Sequence, residues 1–380
     1  MAQLTEHSSK MLLARFGVPV STSILTSTPD EAARAAAEIG YPVAVKAQIA
    51  VGGRGKLAAI LRSNSVGDIG VAFSRVISIE IEGMRATTAL IEPWVQMERE
   101  LYLSVLVDPE LQGPAVLFSQ SGGVDIESGQ TPVIRVPLRR DYTLSAAAFR
   151  HGLANEGLSS KLVERVAVIA NRLAHAFYTL DATLAEVNPL AELSDGRLLA
   201  IDARVVADDH ALFRQNEVAA LITSMATRRI EDLVRDRTGL EYVQMGGNIG
   251  LISGGAGMTM AAMDLIAGMG ASPACFLDCS ANPTRDGYRA ALDLLLDDPN
   301  VKVILISVFG GLTQVDRVAR TLASLLHEKP ATKPLTFRLM GTNVDEADRI
   351  LAEAHLINHR SLEDAVGAAV RSAGSDVTSS

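Results

Sequence analysis

The 380-residue chain predicts two folds in tandem: an α+β N-terminal part and a doubly wound α/β C-terminal part. Three observations carry this. A lysine-bearing strand run, Val43 to Gln48, opens into a loop with glycines at 52, 53 and 55 and the cations Arg54 and Lys56. The apolar segments Thr183 to Leu190 and Leu198 to Val205 flank Ser194-Asp195-Gly196, the pattern of a hairpin. From about residue 240, short apolar strands alternate with helices, as in a parallel sheet wound on both faces.

The elements follow in order. Residues 5–15 and 29–39 read as helices, the second with Thr28 as cap, Pro29 at the first helical position and Gly40 as its stop. A helix near 64–77, strands near 88–93, 101–108 and 114–119, and a long helix over 159–178 come next. Beyond a charged stretch at 228–242, strands are expected at 249–253, 274–278, 301–308 and 335–339. Gly254 to Gly257, Ser280 to Pro283, Gly310-Gly311 and Gly341 to Asn343 then form the turns after those strands, where open α/β sheets place ligands. The expected division is 1–237 and 238–372, with a Ser/Gly/Thr-rich disordered tail at 373–380.

Composition narrows the function. Hydrophobic residues at 48%, aromatics at 4% and a net charge of −9 fit an aliphatic enzyme and argue against a general nucleic-acid binder. The chain shows no apolar run long enough for a membrane span and no secretory signal pattern, so a cytoplasmic location is expected. Cys275 and Cys279 read as packed thiols.

A lysine in a buried strand needs an anionic partner to stay charged, and the adjoining glycine loop can turn backbone amides toward a polyphosphate. The loop is not a GxxxxGK[ST] sequence. The hairpin is expected to supply that partner: Glu186 and Asn188 lie two apart on one strand face, with Asp202 on the neighbouring strand. Such oxygens suit Mg²⁺; equally, they would suit the solvated face of a half-exposed hairpin.

The chain resembles the ATP-grasp family, and over nearly its full length the β subunits of succinate-CoA ligases. The segments that carry the resemblance are LARFGVP at 13–19, KAQIAVGGRGK at 46–56, ELYLSVLV at 100–107, GGVDIE at 122–127, EVNPL at 186–190, ALFRQ at 211–215, GNIGLISGGAG at 247–257 and FGGL at 309–312. It implies a two-lobed ATP-grasp fold followed by a flavodoxin-like domain. Lys46, Gly53, Arg54 and Gly55 would hold the phosphates of ATP or GTP; Glu92, Val95 and Glu100 would line the purine and ribose pocket. Val95 could equally be a packing residue, and Glu92 and Glu100 ordinary solvated strand residues. Asn188 and Asp202 would coordinate Mg²⁺, and Glu186 would be the catalytic glutamate that contacts a phosphohistidine loop.

The resemblance also implies a partner. In this family the acid is activated as an acyl phosphate, the phosphoryl group passing through a histidine of an α subunit that also binds CoA, in an αβ or (αβ)₂ assembly. None of the seven histidines here stands where that carrier belongs. Gly254, Gly311, Leu312 and Thr313 would form the acid site. There the chain departs from the succinate pattern, which has Asn at position 254, Gly-Gly-Gly-Ala over 280–283, and a branched aliphatic residue followed by Arg over 313–314, where Thr313-Gln314 stands. The loss of an amide and a guanidinium removes carboxylate donors, so a different acid is expected, such as malate or another small diacid. Three readings from different classes compete: the β subunit of an acid-CoA ligase, with the succinate enzyme proper as the alternative on the acid, a stand-alone ATP-grasp carboxylate-amine ligase, and a non-catalytic nucleotide-binding regulator.

Overall fold

The computed structural model describes residues 2–50, 59–81, 84–123, 126, 131–139, 141, 143–154, 156–225, 230–280, 284–311 and 314–374. They form two compact units, Met1–Arg228 and Arg229–Ser380.

The first unit runs β1 (Ala2–Gln3), α1 (Glu6–Arg15), β2 (Ile24–Thr26), α2 (Pro29–Ile39), β3 (Val43–Ala47), β4 (Ile60–Ser63), α3 (Val66–Ile77), β5 (Glu80–Ile81), β6 (Met84–Arg85), β7 (Ala89–Pro93), β8 (Arg99–Asp108) and β9 (Gly113–Ser119). It continues through β10 (Ile134–Pro137), α4 (Ala146–Gly152), α5 (Ser160–Thr179), β11 (Ala182–Glu192), β12 (Leu198–Ala200), β13 (Ala203–Ala207) and α6 (Asn216–Thr223). Local sequence sets the helix ends. The Thr28 hydroxyl accepts the Glu31 amide at 3.2 Å, Pro29 opens α2, and Gly40 stops it at a φ of 90°.

Among the described residues, two larger antiparallel sheets and the two-stranded β5-β6 ribbon share this unit. The smaller sheet has the order β2-β7-β3-β4; its Val43, Val45 and Ile91 pack with Ala36, Ile69 and Phe73 of α2 and α3. The larger has the order β1-β13-β11-β8-β9-β10, with β12 on β11. On α5, Val163, Val166, Ala167, Ala170, Leu173, Ala174 and Phe177 repeat at helical spacing and pack with Leu103, Val105 and Val187 of this sheet.

One expected strand divides. Leu198 to Val205 is β12 and β13 with Ile201-Asp202 between them, because the two carbonyls there serve side-chain and cross-strand donors instead of a continuous ladder. The Asp202 carbonyl accepts the Asn188 amide at 3.1 Å.

The second unit contains α7 (Ile230–Thr238), β14 (Glu241–Gln244), β15 (Ile249–Gly254), α8 (Ala256–Gly268), β16 (Cys275–Asp278), α9 (Arg285–Asp297), β17 (Val303–Gly310), α10 (Val315–Glu328), β18 (Leu335–Gly341), α11 (Val344–Glu353) and α12 (Leu362–Gly374). The sheet order is β14-β16-β15-β17-β18, parallel except for the antiparallel edge strand β14, which the sequence pattern did not reveal. α7 packs on β14, so the charged stretch around 230–242 belongs to this unit. Ile249 and Leu251 pack with α8 and α12 on one face, Ile252, Ile304 and Ile306 with α9, α10 and α11 on the other. Strand order reverses between β15 and β17, so their carboxyl ends, Gly254 and Gly310, flank the crevice where such sheets take ligands. Cys275 and Cys279 are buried free thiols, and burial pushes both up to about 12. Among the described residues, no helix is long and apolar enough to cross a membrane.

Candidate functional site

Lys46 lies on β3, 3% exposed, and its ammonium is at the centre of a buried ion cluster. Its Nζ donates to Glu6 Oε1 at 2.8 Å and to the Ile201 carbonyl at 2.6 Å, and lies 2.8 Å from Glu92 Oε2. Lys10 Nζ makes a parallel set: Glu6 Oε1 at 2.8 Å, Glu92 Oε1 at 2.5 Å, the Ile201 carbonyl at 2.6 Å and the Ser21 hydroxyl at 3.3 Å. Burial alone would drive Lys46 toward neutrality; Glu6, Glu92 and Asp202 outweigh it and hold the ammonium above the ordinary lysine range. A strand lysine therefore has its anionic partners, and they are Glu6 and Glu92 rather than the hairpin residues expected, of which Asp202 adds its charge and the neighbouring Ile201 its carbonyl.

Glu6 and Lys10 were missing from the sequence-based set. Glu6, Ser9, Lys10 and Leu13 occupy the i, i+3, i+4, i+7 positions of α1, all buried. Two charges on a helix's buried stripe were the available signal. Glu92 is not a solvated strand residue; it is 1% exposed on β7, beside Lys46's strand. Val95 lies half-buried in the loop beyond β7, and Glu100 is exposed on β8.

The second cluster forms on β11 and its neighbours. Glu186 and Asn188 both point away from the core that Ala185 and Val187 enter, as their spacing implied. Asn188 is clasped by Gly123, whose amide donates to Oδ1 at 2.5 Å and whose carbonyl accepts from Nδ2 at 3.2 Å. A Cβ at Gly123 would lie 2.6 Å from Glu100 Oε2, and one at Gly122 would lie 2.5 Å from the Leu101 carbonyl oxygen. These two glycines are what let the chain approach both Glu100 and Asn188. Glu186 Oε2 accepts from the Tyr102 hydroxyl at 2.9 Å; burial and the Glu186 charge both hold that phenol protonated, well above its usual range.

Asn188 and Asp202 are linked through the backbone, and no group of three or more His, Cys, Asp or Glu side chains among the described residues is placed to hold a metal. A donor set of one carboxylate and one amide oxygen fits Mg²⁺, which keeps waters and phosphate oxygens for its remaining positions. Gly53, Arg54 and Gly55 lie outside the described residues, as do Leu312, Thr313 and the 281–283 turn.

At the carboxyl ends of the second sheet, Asp278 Oδ1 accepts from the Gly255 amide at 2.9 Å and the Ser280 amide at 2.8 Å. Gly255 has a φ of 98°, in the region glycine favours. The Gly311 carbonyl accepts from the Thr342 hydroxyl at 3.0 Å. Gly254 and Gly311 are thus on neighbouring turns, Gly254 at the end of β15 and Gly311 just beyond β17.

Comparison with known proteins agrees with this architecture. Residues 3–192 match the ATP-grasp domain family and residues 252–371 the CoA-ligase family. The chain is 38% identical to the ADP-forming succinate-CoA ligase β subunit of Chloroflexus aurantiacus over 98% of its length and 99% of the relative's. It is 35% identical to the GDP-forming succinate-CoA ligase β subunit of Thermus thermophilus over 92% and 93% of the two chains. A solved structure of ATP citrate lyase from Methanothrix soehngenii shares the fold with a TM-score of 0.73 at 19% identity, covering 97% of this chain and 99% of that one. An ATP-grasp domain and a CoA-ligase domain in one chain, colinear with these relatives from end to end, make it a member of the succinate-CoA ligase β-subunit family.

Proposed function

We propose that the protein is the β subunit of a nucleoside-diphosphate-forming acid-CoA ligase, an acid-thiol ligase that consumes Mg-ATP or Mg-GTP. The observation that carries this is the pairing of an ATP-grasp domain, whose strand lysine Lys46 is held charged by Glu6 and Glu92, with a CoA-ligase domain in one chain. The partner would be an α subunit bearing the phosphohistidine and the CoA site, in an αβ or (αβ)₂ complex, with the assembly in the cytoplasm.

Lys46, with Gly53, Arg54 and Gly55, binds the nucleotide phosphates; Glu92, Val95 and Glu100 border the base and ribose. Asn188 and Asp202 hold Mg²⁺, which when bound offsets negative charge on the phosphate oxygens. Glu186 orients the partner's neutral histidine, an anion beside imidazole stabilising the positive charge the ring gains as one nitrogen takes the phosphoryl group, and Tyr102 fixes the carboxylate for that task. The phosphorus–oxygen bond to the nucleoside diphosphate breaks as a phosphorus–nitrogen bond to the histidine forms. The acid's carboxylate then takes the phosphoryl group and frees the histidine. The CoA thiolate attacks the acyl carbon and releases phosphate, so the poor leaving group of a carboxylate becomes a good one.

The acid enters at Gly254, Gly311, Leu312 and Thr313. Glycine at 254 and Thr313-Gln314 favour a small diacid other than succinate, such as malate, because the hydroxyl and amide donors here suit a hydroxylated acid. Purified αβ complex assayed across a panel of acids tests this; the highest kcat/KM falls on a hydroxylated diacid, and succinate in first place overturns it.

A further inference from the structure

We infer that Lys10 is a positioning residue for Lys46: it keeps Glu6, Glu92 and the Ile201 carbonyl satisfied while the Lys46 ammonium turns to a bound phosphate. The inference rests on the reading of Lys46 as a phosphate ligand.

An ammonium has three N–H donors, and Lys46 has three close acceptors: Glu6 Oε1, Glu92 Oε2 and the Ile201 carbonyl. A phosphate oxygen can reach this ammonium only by displacing one of them. Water cannot replace the lost bond, since Glu6, Glu92 and Lys10 are 2%, 1% and 1% exposed. A buried carboxylate stripped of its cation is costly. The arrangement limits that cost, because each of these three acceptors is also held by Lys10, at 2.8 Å for Glu6, 2.5 Å for Glu92 and 2.6 Å for Ile201. Two ammoniums face two carboxylates, so the cluster is neutral with Lys46 at home. When Lys46 turns outward, its charge meets the incoming anion, and Lys10 still pairs both carboxylates.

The geometry also explains why one helix supplies both a carboxylate and an ammonium. Glu6 and Lys10 are one turn apart on α1, so the replacement cation is anchored beside one of its acceptors independently of β3. Lys10 is 1% exposed and has the Ser21 hydroxyl as a further acceptor. The other titratable groups near the cluster are His7 on α1 and Asp202 after β12.

The test is calorimetric binding of Mg-ATP to the full chain, paired with its thermal midpoint, for Lys46→Met, Lys10→Met and Lys10→Met/Glu6→Gln. Lys46→Met weakens binding at least tenfold. Lys10→Met does the same although Lys46 is intact, because Lys46 is then the sole cation for two buried carboxylates. In the double variant the cluster is neutral again, with Lys46 facing Glu92. Its midpoint returns toward wild type while binding stays at least fivefold weak, since Glu92 still has only Lys46. Recovery of both quantities together would mean that Lys10 merely balances charge, and Lys10→Met binding within twofold of wild type would also overturn the inference. Should Lys10→Met fail to fold, the neutral double variant decides alone: wild-type affinity in it overturns the inference. Unchanged binding in Lys46→Met overturns the phosphate reading itself, whereas a loss there with none in Lys10→Met overturns only the role of Lys10.

Discussion

Lys10 and Lys46, on a helix and a strand of the same unit, bond to the same two glutamates and the same backbone carbonyl. Four charges are therefore kept out of water at a point where α1, β3, β7 and the link between β12 and β13 meet. Replacing one lysine leaves a single ammonium for two buried carboxylates, an excess charge on the scale of the about 3–5 kcal/mol lost when a buried pair is broken. Lys46→Met should lower the thermal midpoint by roughly 10 °C, given about 2–4 °C per kcal/mol in a unit of this size. Scanning calorimetry of the purified chain checks this, and a midpoint within about 2 °C of wild type would contradict the cluster's structural weight.

Stability should also depend on pH in two directions. Burial lowers the His7 pKa, against the opposing pull of Glu92 and Glu6, so the unfolded chain binds its proton more readily. Its contribution is present above the ordinary histidine value and is lost as pH falls through that value toward the folded one. Lys46 is raised, so its contribution is present below the ordinary lysine value and declines above it. The midpoint should plateau between about pH 7 and 9, and His7→Gln should flatten the acid limb. An acid limb identical in His7→Gln and wild type would remove His7 from the account.

Gly123 has a φ of 70° and holds both polar atoms of the Asn188 amide. A side chain there meets the left-handed penalty of roughly 1–2 kcal/mol, and the end of the exposed Glu100 side chain must move aside. Gly123→Ala should raise the Mg²⁺ concentration for half-maximal activity of the αβ complex several-fold, because relaxing the left-handed φ turns the backbone amide and carbonyl of residue 123 away from Asn188. A magnesium titration unchanged by the substitution would separate Gly123 from the metal role of Asn188.

At Gly254 the space is tight without being closed. A Cβ would lie 3.2 Å from Val308 Cγ1, and the backbone there is not in the glycine-only region, so the valine methyl need yield only slightly. Gly254→Asn restores the amide of the succinate pattern. It should shift the ratio of kcat/KM for succinate over malate about tenfold or more toward succinate, the scale on which a gained hydrogen bond discriminates. A ratio unmoved by the substitution would place acid selection elsewhere.

Much of the fold was legible in sequence because its signals are local. The Thr28-Pro29 cap and Gly40 stop fixed α2, the helical spacing over 160–179 fixed α5, and alternating strands and helices marked the parallel sheet. Lys46 was legible too, since a lysine in an apolar strand demands an explanation. Its partners were not. An i, i+4 Glu-Lys pair on a ten-residue helix is ordinarily a surface feature, and what buries Glu6 and Lys10 is contact with Glu92 and Ile201, far along the chain. The division of the Leu198 to Val205 run was hidden for the same reason: the Ile201 carbonyl turns to two ammoniums that sequence periodicity does not register. The edge strand β14 is four residues with Tyr242 alone buried, too short a pattern to read.

The most direct test of the central claim is transfer of label from [γ-³²P]ATP in the purified αβ complex, comparing wild type with Asp202→Ala. The account predicts Mg²⁺-dependent, acid-labile and alkali-stable label on the partner subunit, discharged by acid substrate plus CoA and absent in Asp202→Ala. Equal labelling in Asp202→Ala, or a wild-type complex whose partner takes up no label, would contradict it.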